Sequence, residues 1–280
     1  MKIPFVFLMV VTFWVVLTQS CFKMRISDSD AKKEFANKGL SLEIKTEVIN
    51  HFKLHYVVSG IDTLPTLFFI HGSPGSWDAC KQYLEDSDLL RKYQMVSIDR
   101  PGFGYSQFGD AKNLKEQDEI ISPLIDRFKN GKPIYIIGHS LGGPLAVQIV
   151  ASHPDKFTGM ILLAGAVDVS EEPAEKWRGF FYHSPFQYLL PGAFRPSNTE
   201  IYFLKKDLIT LASQFANIKC NVWIIHGDKD SFVPVGNAFY AKKMLVNAKS
   251  VNITILKDAP HFIPWEPWYK DVKSVLLNLN

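Results

Sequence analysis

Short, unbroken apolar runs separated by amphipathic stretches constrain this 280-residue chain more than any other feature. The runs fall at 46–58, 66–70, 94–98, 134–137, 159–163, 222–225 and 251–256, and helical patterns such as 144–152 and 237–245 lie between the later ones. A strand with no polar alternation must be covered on both faces, the condition met when helices wind over both sides of a parallel sheet. The spacing predicts an α/β fold with a mostly parallel central sheet flanked by helices. At 47% hydrophobic residues the chain can bury that core as one domain.

In such a sheet ligands gather beyond the carboxyl ends of the strands. The residues that follow the runs are polar or glycine-rich: His71-Gly72-Ser73-Pro74-Gly75, Asp99-Arg100-Pro101-Gly102-Phe103-Gly104, Gly138-His139-Ser140-Leu141-Gly142-Gly143, His226-Gly227-Asp228-Lys229-Asp230 and Pro260-His261-Phe262. Gly138-x-Ser140-x-Gly142 follows a strand and opens a helix, the setting in which a sharp turn thrusts a serine hydroxyl above the sheet. Gly102-x-Gly104 lacks the third glycine of a dinucleotide site and no Walker sequence occurs, so no phosphate cofactor is expected. Cys21, Cys80 and Cys220 lack metal-ligand spacing, and the latter two read as buried, reduced thiols.

From Thr46 to the C-terminus, the order of oxyanion turn, Asp99–Gly104 turn, serine elbow, acid and histidine resembles the α/β-hydrolase superfamily, in its Ser-His-Asp branch. The resemblance implies Ser140 as nucleophile and His261 as its base. The acid is Asp230 in Gly227-x-x-Asp230-x-x-Val233-Pro234, with Asp228 and Asp168 as competitors. The oxyanion donors are the N–H groups of Leu141 and Ser73; Pro74 has none to offer. His139 packs, His71 braces the oxyanion turn, His226 is a structural partner and Arg100 is ion-paired. Residues 168–217, rich in aromatics, correspond to a small helical cap over the site, and this density suits either cap packing or an apolar substrate pocket.

The implied activity is hydrolysis of a small-molecule carboxylic ester through an acyl-enzyme on Ser140, without cofactor or metal. Serine at the elbow counts against epoxide hydrolases and haloalkane dehalogenases, which use a carboxylate there. An aminopeptidase or carbon-carbon bond hydrolase would use the same triad, and an idle binding protein on this fold would show a broken one.

Ahead of the body, Lys2 precedes an apolar stretch at 3–17, short for a membrane span and suited to a signal core. It runs into Leu17-Thr18-Gln19-Ser20-Cys21, which resembles a bacterial lipoprotein signal ending at a lipid-anchored Cys21. A plain secretory signal and an uncleaved anchor are the alternatives. The expected organisation is a signal at 1–20, a tether at 21–45 and the hydrolase domain at 46–280, on a periplasm-facing outer-membrane lipoprotein, or else secreted or anchored to the inner membrane. A net charge of +3, with basic pairs scattered, argues against a nucleic-acid partner.

Overall fold

The computed structural model describes residues 2–173 and 175–279; Met1, Ala174 and Asn280, in the expected signal, cap and C-terminal end, lie outside the described residues. Eight strands form one sheet: β1 Glu43–Ile49, β2 Phe52–Ser59, β3 Thr66–Ile70, β4 Gln94–Ile98, β5 Ile134–His139, β6 Gly159–Leu163, β7 Asn221–Gly227 and β8 Ser250–Leu256. Their spatial order is β1-β2-β4-β3-β5-β6-β7-β8. All neighbours from β4 to β8 are parallel, and β2 runs antiparallel to both β1 and β4. Every residue of β3, β4, β5 and β6 is buried, as their lack of alternation required.

The apolar run at 46–58, expected as one strand, is a hairpin. Asn50 and His51 sit at φ +48° and +64°, the pair of positive values that a tight two-residue turn between twisted strands demands. No glycine marks this turn, so its only sequence signal is one asparagine, a residue that tolerates left-handed backbone.

The helices are α1 Lys2–Cys21, α2 Asp28–Asn37, the single turns α3 Lys81–Leu84 and α4 Ser87–Leu90, α5 Leu114–Asp126, α6 Gly142–Ser152, α7 Trp177–Tyr182, α8 Phe194–Ala212, α9 Gly236–Met244 and α10 Tyr269–Leu277. Through Ile121, Leu124, Leu145, Ile149 and Ala241, helices α5, α6 and α9 pack on one face of the sheet. The other face is covered through Phe35 of α2, Tyr83 of α3, and Val272 and Leu276 of α10. A capping box starts α5: Asn113 Oδ1 accepts from Glu116 N at 3.0 Å and Glu116 Oε2 accepts from Asn113 N at 3.2 Å.

Residues 21–45 are not a spacer. Ser27 caps α2, and Ala31 and Phe35 are fully buried, a Phe burial that contributes roughly 1.5–3 kcal/mol. The body therefore begins before Thr46. Among the described residues no helix is long and apolar enough to cross a membrane.

The cap consists of α7, the 3-10 turn Pro185–Leu189 and α8. It is bolted down from beneath. Arg100, fully buried, donates to both carboxylate oxygens of Glu200 on α8 at 2.6 and 2.9 Å and to Gln117 Oε1 on α5 at 3.2 Å. Arg100 is ion-paired, as the sequence suggested. Removing one member of a buried pair strands the other charge at a cost of about 3–5 kcal/mol, whereas replacing both with apolar groups can be nearly neutral. Urea denaturation should show Glu200→Ala losing about that much stability and Arg100→Met/Glu200→Leu losing clearly less. Equal losses would show that the ion pair itself is not the constraint.

Candidate active site

Ser140 sits between β5 and α6 with φ +54°, a left-handed conformation that a side chain adopts at a strain of about 1–3 kcal/mol. The surroundings over-determine it. Its N–H donates to Leu163 O at 3.0 Å, and its carbonyl accepts from Gly143 N at 2.9 Å and Ala166 N at 3.2 Å. Gly138 and Gly142 allow the fold to close: a Cβ on Gly138 would lie 2.2 Å from Gly142 O, and one on Gly142 would lie 2.4 Å from Ile70 O.

His261 lies in the loop after β8, and its Nδ1–H donates to Asp230 Oδ2 at 2.7 Å. Asp230, in the loop after β7, turns its other oxygen to the N–H groups of Phe232 and Val233 at 2.9 and 2.8 Å. His226, fully buried at the end of β7, donates from Nε2 to Val233 O at 2.9 Å and lies 3.4 Å from Asp230 Oδ2. Burial pushes the Asp230 carboxyl up, but hydrogen bonds from His226, His261 and Val233 N–H overrule it and hold its pKa well below the usual carboxylate range. Asp230 is thus an anion fixed against one nitrogen of His261, which leaves Nε2 to exchange a proton.

The elbow and the histidine loop are tied together, since His139 Nε2–H donates to His261 O at 3.2 Å. The Ser140 hydroxyl has no protein hydrogen-bond partner among the described residues, and such bonds commonly tighten only when substrate is present. The competing acids stand elsewhere. Asp228 is exposed, and Asp168 accepts from Ser170 N at 2.9 Å, a turn-capping role.

The turn after β3 packs against the elbow so closely that a Cβ on Gly72 would lie 2.9 Å from Ser140 Cβ. Gly72 O accepts from His71 Nδ1–H at 2.6 Å and from Arg100 Nη2 at 3.0 Å, while His71 Nε2 accepts from Arg100 N at 3.0 Å. In a planar trans peptide the C=O and the next N–H point opposite ways, so two donors on Gly72 O aim Ser73 N–H away from them. Neither Ser73 N–H nor Leu141 N–H has an acceptor among the described residues, and Leu141 caps the N-terminus of α6. His71 braces this turn as expected, and His139 packs against His261 and Trp265 with ring centroids 5.0 and 5.4 Å away.

Two participants were not foreseen. Ser197 and Glu200, one helical turn apart on α8, hold the oxyanion turn from the cap side: Ser73 Oγ donates to Ser197 Oγ at 2.9 Å, and Glu200 holds Arg100. No motif marks either one, because the partner of each lies 100 or more residues away. Phe232 and Phe262, both exposed, flank the His261 ring at 5.5 and 5.6 Å. A groove of about 930 Å³ between α5, α6 and α8 touches none of the catalytic candidates. Among the described residues no cluster of histidines, cysteines and carboxylates could hold a metal ion.

Sheet order, elbow and the chain order serine, aspartate, histidine are those of the doubly wound α/β-hydrolase arrangement. The chain has the alpha/beta hydrolase fold: the family model of that description matches residues 65–189. Epoxide hydrolase 1 of Caenorhabditis elegans is 26% identical over 231 residues, 76% of this chain and 55% of that protein. Monoglyceride lipase of Rattus norvegicus is 26% identical over 120 residues, 40% of this chain and 39% of that enzyme. The chain thus spans about half the length, or less, of these curated relatives. The peroxisomal alpha-beta-hydrolase of Saccharomyces cerevisiae superposes with a TM-score of 0.67 at 15% identity, over 85% of this chain and 88% of that one.

Burial, then the Arg100 charge, lowers the pKa of His71 well below 6.5, and burial followed by the His261 charge brings His139 down to about 3. Both rings are therefore neutral in the fold, while in the unfolded chain they take up protons below about pH 6.5. The unfolded state binds more protons in this window, so stability falls as pH drops from about 6.5 toward 3. Asp230 has a linkage of the same sign in a lower window: its contribution is fully present above the ordinary carboxylate pKa and is lost as pH falls below it. The urea midpoint should drop between pH 7 and pH 4. His139→Gln should flatten that drop, and His183→Gln, at an exposed site, should leave it unchanged.

Proposed function

We propose that the chain hydrolyses carboxylic esters through an acyl-enzyme on Ser140. The observation that carries this reading is the His261–Asp230 pair at 2.7 Å, tied through His139 to a left-handed serine with two unpaired amides beside it. Ser140 Oγ attacks the ester carbonyl carbon as His261 Nε2 takes its proton. The new C–O bond leaves a tetrahedral oxyanion, which the Ser73 and Leu141 N–H groups stabilise; one such donor typically contributes about 2.7–4 kcal/mol. The C–O bond to the alcohol breaks as His261 returns the proton to it, and water, deprotonated by His261, then releases the acid and frees Ser140. Asp230 holds the tautomer and stabilises the imidazolium without taking the proton.

Serine rather than a carboxylate at the elbow separates this reading from the epoxide hydrolase relative, and the monoglyceride lipase supports it. A fluorophosphonate probe should label Ser140, and Ser140→Ala should abolish labelling. Asp230→Asn should lower kcat by about 10³–10⁴-fold with the fold intact, and Asp168→Asn and Asp228→Asn far less. Labelling that survives Ser140→Ala, or a larger loss at Asp168, would overturn the assignment.

We propose also that Cys21 carries the lipid anchor of an envelope protein facing the periplasm from the outer membrane. Cys21 is exposed at the end of α1, directly after the small residue Ser20. Stable attachment requires more than one acyl chain, which a modified N-terminal cysteine provides. An alkyne fatty acid should be incorporated by the wild type and not by Cys21→Ser; incorporation that persists in the variant would remove the anchor from this residue.

A further inference from the structure

Between Lys2 and Lys23 there is no charged residue, and α1 exposes large apolar side chains around its circumference, among them Phe5, Phe7, Leu8 and Phe13 at 62–69%. A helix apolar on every side is at home in a non-aqueous medium. Its C-terminal end is stitched to the cap rather than left on a tether. Trp14 Nε1–H donates to Leu189 O at 3.2 Å, Gln19 Nε2 donates to Leu190 O at 2.7 Å, and Ala193 N donates to Phe22 O at 2.7 Å. The chain then stays on the body: Met24 O accepts from Ser76 Oγ at 2.8 Å, and the Arg25 guanidinium lies 3.7 Å over the Tyr105 ring. Residues 24–26 border a groove of about 510 Å³ beside Gly75 of the oxyanion turn.

The exposed aromatics lie at this same end. Outside α1, all of them among the described residues except Phe239 lie on the cap, at Phe22, or beside His261. On the cap four rings are contiguous: Phe180 stacks on Phe186 at 5.3 Å and meets Phe181 at 5.5 Å, and Trp177 packs edge-on to Phe181 at 6.0 Å. Arg178 lies over the Trp177 ring at 4.4 Å and Arg195 over Tyr188 at 5.2 Å. Tryptophan and tyrosine with neighbouring arginine form the side-chain set that settles at the headgroup level of a membrane.

We infer that the segment at Cys21-Phe22, held on the cap, and the outer face of the cap form one bilayer-docking surface, which sets the mouth of the active site against lipid. Whether α1 is retained or removed ahead of Cys21, the anchor point is the same, because Phe22 is fixed to the cap. For the substrate class the inference rests on the ester-hydrolase reading: the esters are acyl lipids resident in the membrane, and Phe232 and Phe262 meet them beside His261.

The test uses the full chain on vesicles of phosphatidylcholine and phosphatidylglycerol, with phosphatidylcholine brominated on its acyl chains as a contact quencher. Wild type should lose more tryptophan fluorescence than Trp177→Phe; equal quenching would overturn cap docking. Phe180→Asp/Phe186→Asp should lower hydrolysis of a vesicle-embedded long-chain ester by about tenfold or more, the effect of replacing two inserted rings with charges, and leave p-nitrophenyl butyrate hydrolysis unchanged. Equal loss on both esters, or none on the vesicle ester, would overturn the lipid-substrate assignment. If wild type hydrolyses neither ester, the ester-hydrolase reading and the lipid substrate fall together, while the fluorescence result still decides docking.

Discussion

A serine held in left-handed backbone depends on how closely three strands and a helix approach one another. Gly138 and Gly142 meet with no room for a Cβ on either, and Gly142 lies against the carbonyl of Ile70. This contact brings the turn after β3 against the elbow, and the hydrogen bond from Ser140 N to Leu163 O brings in β6. Because Ala164 N in turn bonds Ile225 O, the end of β7, from which the acid loop departs, is placed by the same network. The candidate site is therefore a consequence of strand ends packed at backbone contact rather than of flexible loops finding one another. The strain at Ser140 is offset by that packing.

Around this frame, buried charge is neutralised in discrete clusters. Asp99 accepts from Trp77 N at 2.7 Å and Tyr105 N at 2.8 Å and lies 2.8 Å from His55 Nδ1, which ties β2, β4 and the turn after β4 together. Arg100, next in sequence, reaches Glu200 in the cap and Gly72 beneath the oxyanion turn. Adjacent residues thus hold different parts of the frame, and the cap and the turn after β3 share one buried guanidinium. Three histidines near the elbow differ by environment: His71 and His139 are kept neutral by burial and serve as fixed donors, while His261 is paired with the Asp230 carboxylate and flanked by two exposed rings.

The chain determined much of this by local pattern alone. Unbroken apolar runs required a sheet covered on both faces, and the glycines around Ser140 required a sharp strand-to-helix turn, because each signal lies within a few residues and expresses a steric or burial demand of those residues themselves. The order of Asp230 and His261 along the chain followed from the resemblance, and the hydrogen bond between them matches it. The hairpin turn at Asn50-His51 was illegible because its residues are weak turn markers, and the packing of 21–45 was hidden because two buried side chains in a charged helix leave little apolar signature. Only the tertiary structure decided that Glu200 answers Arg100, that Ser197 answers Ser73, that two donors on the Gly72 carbonyl turn the Ser73 amide away from them, and that the N-terminal helix ends on the cap. Those contacts join residues far apart in the chain, and no short-range pattern encodes which distant partner a buried charge or a peptide dipole will meet once the layers have packed.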